Sequence, residues 1–319
     1  MTDFFVFNGD ADGICSLQQL LLAESPTDFE LISGVKRDIA LLSRVEAKRG
    51  DRVTVLDISL DKNRQPLQRL LADDVSVRYF DHHYAGDVPD SPSLETHIDT
   101  DASRGTSYLV DRYLAGHSRA WAVVGTFGDN FDATAKQLAE PLDLSSTELE
   151  RLRELGILLN YNGYGSSIDD LHLPPVELFR RIRPFADPLR FAAEEVTFNR
   201  LREGYRADME AAAALEPQLE KPGHALYLLP NERWSRRVSG VFANRLAQAA
   251  PERAHAILTE LEQGGYLVSV RAPIANPDGA DELCRRFPTG GGRKAAAGIN
   301  HLAESDYQPF VDAFAETYR

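Results

Sequence analysis

The chain has 319 residues, 43% hydrophobic and 26% charged, with 22 Gly and 17 Pro. This composition excludes collagen-like, disordered and disulfide-scaffold proteins, and at roughly 100–200 residues per domain it predicts two domains, each with its own core. Lys and Arg total 35 against 49 Asp and Glu, a net charge of −14. That balance argues against a clamp or coat for long nucleic acid, whose affinity rests on basic residues. A local basic pocket or bound cations would still admit a small anionic molecule or a short oligonucleotide.

The longest apolar runs, such as LQQLLLA from Leu17, are too short to cross a bilayer, so no membrane partner is expected. The opening MTDFFVFNGDADG has neither a basic n-region nor a small-residue cleavage pattern, and does not read as a signal peptide. Cys15 and Cys284 lie far apart, a spacing that predicts reduced thiols and a cytoplasmic location.

In chain order, β-rich runs at Phe4–Phe7, Phe29–Val35, Val53–Leu56 and Val75–Phe80 alternate with LQQLLLA, IALLSRVEAK and LQRLLA, whose apolar residues recur at helical spacing. The alternation predicts βαβ units and a mainly parallel sheet, with ligands at the carboxyl ends of its strands. After Leu142 comes a helical stretch, STELERLRELGILLNYNGYG, then a proline-rich and loop-like LHLPPVELFRRIRPFADPL. A long helix-compatible segment covers 190–219, and from Ala225 a smaller α/β unit is expected. Its pieces are ALYLL, a helix through VFANRLAQAA, a hairpin turning at Gly264-Gly265 and a closing helix.

Three of the β-rich runs end in acids. Phe4–Phe7 leads to Asp10-Ala11-Asp12-Gly13, Val53–Leu56 to Asp57, and Val75–Phe80 to Asp81-His82-His83. Residues two apart in extended chain point the same way, so Asp10 and Asp12 can share one space while Gly13 lets the chain turn into a helix. Asp129 follows the apolar run WAVVGTFG. Four or five carboxylates at one sheet edge repel each other unless cations neutralise them, and an Asp-rich set with imidazoles suits Mn²⁺ or a similar ion. Taken singly, each motif has a plainer reading: Asp favours turns, and adjacent histidines can be surface residues. Their combination in one βαβ array favours a metal site.

Three further spots carry less weight. Lys36-Arg37 follows the second strand and could face the cleft. Ser103-Arg104-Gly105-Thr106-Ser107 opens a helix that could bind an anion, although Ser and Thr there commonly act as N-caps. Ser235-Arg236-Arg237 reads as solvated surface or a minor substrate contact.

The ordered motifs Asp10-Ala11-Asp12-Gly13, Asp57 in VLDIS, Asp81-His82-His83 and Asp129 in GTFGDN resemble the DHH phosphoesterase superfamily. Ser269-Val270-Arg271 and Gly291-Gly292-Arg293-Lys294-Ala295-Ala296-Ala297-Gly298 resemble the C-terminal domain of RecJ-type exonucleases and nanoRNases. The resemblance implies an α/β fold: a parallel-sheet DHH domain (1–188), a connecting helix or hinge (189–222), and a smaller α/β domain (223–319) across a cleft. It further implies that Asp10 binds one metal ion and Asp12 the other, that Asp57 bridges them, and that His82 and Asp129 complete the coordination of the second ion. His83 would touch the phosphate or support the ligands, and Asp81 would orient the histidines. The centre would work by a two-metal mechanism with Mn²⁺, or alternatively Mg²⁺ or Co²⁺.

Arg271, Arg293 and Lys294, with Gly290, Gly291 and Gly292 at an expected helix start, would grip substrate phosphate. Two positions depart from the family pattern. The residues just before Asp10 (Val6, Phe7, Asn8 and Gly9) include no histidine, leaving Asn8 as a neutral oxygen donor, and Arg293 stands where histidine is usual. The implied reaction is hydrolysis of a phosphodiester or phosphomonoester in short oligonucleotides or nucleotides. The chain leaves no room for an oligonucleotide-binding barrel, so long duplex DNA is not an expected partner. Alternatives are a pyrophosphatase or polyphosphatase, and a nucleotide-binding protein of weak activity. Some relatives form dimers, but the sequence carries no legible interface.

Overall fold

The computed structural model describes all 319 residues, Met1–Arg319, and divides into two compact units, Met1–Gly204 and Tyr205–Arg319. The boundary between them falls inside a helix and within the 189–222 segment.

The first unit opens with β1 (Asp3–Phe7), α1 (Ala11–Glu24), β2 (Phe29–Ser33), β3 (Arg52–Leu56), α2 (Arg64–Ala72), β4 (Ser76–Asp81) and β5 (Leu94–Ile98). Its sheet runs β2-β1-β3-β4-β5, and every pair is parallel. The strand order reverses between β1 and β3, and such a switch point opens a crevice at the carboxyl ends of the strands. β1 reads FFVF because both of its faces are covered. Phe4 and Val6 pack with Val53, Val55, Leu67 and Leu70, while Phe7 faces Phe179, ring centroids 6.0 Å apart, on the opposite side. The expected helix in IALLSRVEAK shrinks to a single 3₁₀ turn, Leu41–Arg44. Buried Asn63 claims its backbone instead, accepting from Leu42 N–H at 3.2 Å and donating to Ile39 C=O at 2.7 Å.

Helices complete the unit: α3 (Thr106–Tyr113), α4 (Arg119–Gly128), α5 (Asp132–Ala139), α6 (Ser146–Gly163), α7 (Pro175–Ile182), α8 (Pro188–Glu194) and α9 (Val196–Ala213), the last crossing into the second unit. α6 starts at a capping box, Ser145 with Glu148. The proline-rich stretch is helical rather than loop-like. Pro175 and Pro188 stand at the first position of α7 and α8, where a missing N–H costs nothing and the fixed φ suits a helix start. The segment expected as one long helix from 190 breaks between α8 and α9, where Glu195 is extended.

The second unit holds β6 (Leu219–Glu220), β7 (His224–Leu229), α10 (Arg233–Ala249), β8 (Ala254–Glu260), β9 (Tyr266–Arg271), α11 (Ala280–Arg285), β10 (Gly290–Arg293), β11 (Ala296–Leu302) and α12 (Tyr307–Thr317). Its mixed sheet runs β10-β11-β9-β8-β7-β6, with only β7 and β8 parallel. Leu226, Leu258, Val268, Phe310 and Phe314 belong to its core. Gly290–Gly292 do not begin a helix: they form the edge strand β10, which pairs antiparallel with β11 through a two-residue turn at Lys294-Ala295. Glycine is needed for close approach here, since a Cβ on Gly290 would lie 1.8 Å from the Cys284 carbonyl oxygen. The helix-start argument for phosphate binding at these glycines therefore fails. Ser235-Arg236-Arg237 is not solvated surface either. Ser235 is fully buried, and buried Arg237 grips Asp208 through two nitrogens at 2.7 and 3.0 Å. No helix is long and apolar enough to cross a membrane, and both cysteines are free and buried.

Candidate metal centre

The carboxylates gather where the switch point lies. Asp10 follows β1 and caps α1, its Oδ1 accepting from Gly13 N–H at 3.0 Å. Asp12 is already helical, at the second position of α1, so the pair does not share the extended geometry expected from their spacing. The cap on Gly13 starts the helix one residue after Asp10. Asp57 directly follows β3 with φ +61°, a left-handed conformation that Asp tolerates better than most residues. Asp81 ends β4 and is followed by His82 and His83. Asp129 closes α4 from the far side, and α4 packs directly on α1.

His82 links the group. Its Nε2 lies 3.4 Å from Asp57 Oδ1, 3.6 Å from Asp129 Oδ2 and 3.9 Å from Asp12 Oδ2. Two overlapping sets, Asp12–His82–Asp129 and Asp57–His82–His83, bring their donor atoms within 4.8 Å of one another. His83 Nδ1 meets Asp81 Oδ1 at 2.7 Å, and the buried Oδ2 of Asp81 has no partner. Asp81 thus orients His83, not both histidines.

Asp12 has a second anchor. The N-terminus of α3 points at it, with Thr106 N–H donating to Oδ2 at 2.6 Å and Ser107 N–H to Oδ1 at 2.7 Å. The anion at this helix start is therefore a side chain of the centre itself. Gly105 permits the approach, because a Cβ there would lie 2.7 Å from Asp12 Oδ2. Thr106 Oγ1 also donates to Asp57 Oδ1 at 3.1 Å.

Burial and mutual repulsion set the protonation of the centre. Burial, and then the charges of Asp10 and Asp12, push the Asp57 carboxyl well above the usual carboxylate range. Burial and the Asp129 charge raise Asp12 to about 6. For His82 burial works the other way, but Asp57, Asp12 and Asp129 outweigh it and hold the ring up at about 10. Acids pushed up beside an imidazole held protonated mark a cluster short of positive charge. Hard oxygen donors with one or two imidazoles fit a divalent ion of the Mn²⁺ type on the Asp12, Asp57, His82 and Asp129 side.

Asp10 departs from expectation. Its Oδ2 is taken by Lys36 Nζ at 2.5 Å, and the same ammonium donates to Asp129 Oδ1 at 2.9 Å and Asn160 Oδ1 at 3.0 Å. Sequence reasoning gave Lys36 little weight and missed Asn160. The available signal for Lys36 was its position after a strand, at the same sheet edge as the acids. Asn160 sits on α6, more than 120 residues away, and offered none. Asn8 Nδ2 donates weakly to the Lys36 carbonyl at 3.3 Å, and its buried Oδ1 has no partner.

In the second unit, Arg271 Nε donates to Asn244 Oδ1 at 2.7 Å, on the wall of a cavity of about 460 Å³. Ala247, Ala272, Ile274 and Pro277 give that cavity a largely apolar lining. Arg293 and Lys294 are exposed at the hairpin end, and Lys294 pairs with Asp278 at 3.2 Å.

A parallel-sheet α/β unit with a carboxylate–histidine centre at its switch point, followed by a mixed-sheet unit, defines a recognisable architecture. No protein-family model and no curated protein sequence matches the chain. Solved structures do. The chain is similar to a manganese-bound exonuclease RecJ, with TM-score 0.65 and 18% identity over 99% of this chain and 90% of that one. It is also similar to RecJ from Thermus thermophilus in complex with Mn²⁺, with TM-score 0.65 and 20% identity over 99% of this chain, and it spans only 52% of that one. A third match is the pGpG-specific phosphodiesterase PggH of Vibrio cholerae, with TM-score 0.57 and 13% identity over 99% of both chains. The fold is therefore a RecJ-like fold.

Proposed function

We propose that this chain is a metal-dependent phosphoesterase acting on short oligonucleotides or nucleotides. The observation that carries the reading is the convergence of Asp12, Asp57 and Asp129 on His82 Nε2 at the switch point. The RecJ-like fold supports it, since one neighbour is an exonuclease and another a phosphodiesterase. Fold alone does not fix chemistry, so the weight rests on the site.

Asp12, Asp57, His82 and Asp129 would hold the ion. When bound, it supplies Lewis acidity, activating water and neutralising charge on phosphoryl oxygens. The chain's own groups do the rest. The α3 N-terminus fixes Asp12, and Thr106 fixes Asp57. Asp81 holds His83 through Nδ1, which leaves Nε2 as the ring nitrogen able to meet a phosphoryl oxygen or pass a proton. Lys36 adds a fixed positive charge beside Asp10 and Asp129.

In the second unit, Arg271, Arg293 and Lys294 are the groups that would contact substrate. The apolar lining beside Arg271 favours a nucleoside over a purely anionic chain, and so a nucleotide over pyrophosphate or polyphosphate. The test is turnover of a panel with Mn²⁺: labelled short RNA and DNA, pGpG, pAp and pyrophosphate. Release of nucleotide or phosphate from a nucleotide substrate, abolished by a chelator and restored by Mn²⁺, is expected. Turnover of pyrophosphate alone overturns the substrate class, and no turnover of any member overturns the reading.

A further inference from the structure

Lys36 is held as tightly as any ligand of the centre. Its ammonium touches three oxygens from three separate elements: Asp10 at the start of α1, Asp129 at the end of α4 and Asn160 on α6. The backbone is pinned too, with Lys36 N–H donating to Gly163 C=O at 2.8 Å. The Tyr164 ring lies 5.6 Å from Nζ. Asp10 is 1% exposed and the Lys36 side chain 25%, so this is no solvated lysine that reaches in by chance. Asp10 belongs to neither cluster of candidate ligands, and both clusters centre on His82.

An ammonium seated between Asp10 and Asp129 occupies the place that a cation shared by those carboxylates would take. A protonated amine offers no lone pair to a metal, and like charges at such a separation repel strongly. The donor set on the Asp10 side therefore does not fit a second divalent ion, while the set around His82 fits one.

We infer that Lys36 is the resident cation of the Asp10 side and that the centre binds one divalent ion, at Asp12, Asp57, His82 and Asp129. The inference deepens the phosphoesterase reading and rests on it. It replaces the two-metal arrangement implied by the sequence resemblance with one ion and one ammonium. Lys36 is then a positioning residue for Asp10 and Asp129, and the chain differs here from a centre assembled on metal ions alone.

The test counts ions on the full chain. Metal-stripped protein is titrated with Mn²⁺, free Mn²⁺ is followed by electron paramagnetic resonance, and frozen samples are inspected for spin coupling between paired ions. The wild type is expected to take up one Mn²⁺ per chain with an uncoupled spectrum. Lys36→Met, which keeps the length and removes the charge, is expected to take up two, with coupling. Lys36→Arg, which keeps the charge, should stay at one. Two coupled ions in the wild type overturn the inference and leave the phosphoesterase reading standing. No bound Mn²⁺ in the wild type overturns both. The wild-type count decides the matter even where the Met variant does not fold.

Discussion

Ser107 donates to Asp12 twice, through its N–H to Oδ1 at 2.7 Å and through its hydroxyl to the same carboxylate oxygen. The start of α3 thereby holds a buried carboxylate in one orientation before any ion arrives, which lowers the entropy lost on binding.

Ser107→Ala removes the hydroxyl but keeps the N–H. Outer contacts of this kind commonly contribute about 10–100-fold to metal affinity. Mn²⁺ affinity should fall by at least about 10-fold, with the thermal midpoint of metal-free protein changed little. Calorimetric titration of both proteins checks this, and an unchanged affinity would show that the Ser107 hydroxyl does not position Asp12 for the ion.

Metal binding should release protons. In the metal-free protein Asp12 titrates at about 6 and His82 at about 10, so His82 carries a proton at neutral pH that it must lose to ligate. Mn²⁺ affinity should rise with pH between about 6 and 9, with release of at least about one proton per ion near pH 7.5, since His82 and the upshifted Asp57 must both be deprotonated to ligate. Titration in buffers of different ionisation enthalpy measures that number. A value of zero contradicts His82 as a ligand.

The second unit should lose stability in acid through His255. The ring is 2% exposed, its Nδ1 has no partner, and burial followed by the Arg253 charge lowers its pKa to about 4. A base depressed in the folded state contributes stability that is present above its unfolded value near 6.5 and lost as pH falls through 4. The loss at pH 4 is on the order of 3 kcal/mol. Thermal melts from pH 7 to 4 should fall more steeply for wild type than for His255→Gln. Parallel curves would remove His255 as the cause.

What the sequence revealed follows from which interactions are local. The three inner strands β1, β3 and β4, buried along most of their length, read as apolar runs, and the acids that follow or end them stand next to those runs in the chain. β5 was harder to see, because LETHI is an edge strand carrying exposed Glu95 and Thr96 and so lacks the apolar signature. The 3₁₀ turn at Leu41–Arg44 hides its cause in Asn63, some 20 residues on. Gly290–Gly292 suggested a phosphate loop by composition, yet their glycines serve backbone approach in a hairpin edge. Lys36 meets Asp129 and Asn160 across 93 and 124 residues, a convergence that only the packed fold brings about.

The most direct test of the central claim pairs the wild type with Asp57→Asn. Asn tolerates the left-handed conformation at this position, and removing one of several crowded buried carboxylates relieves repulsion. Metal-free Asp57→Asn should therefore melt no lower than wild type, so a loss of activity cannot be put down to unfolding. The measurement is Mn²⁺-dependent cleavage of a labelled short oligonucleotide, with the melting temperature of each protein recorded with and without Mn²⁺. The account predicts cleavage and Mn²⁺ stabilisation for wild type, and neither for the folded variant. Equal cleavage by the two proteins would contradict it.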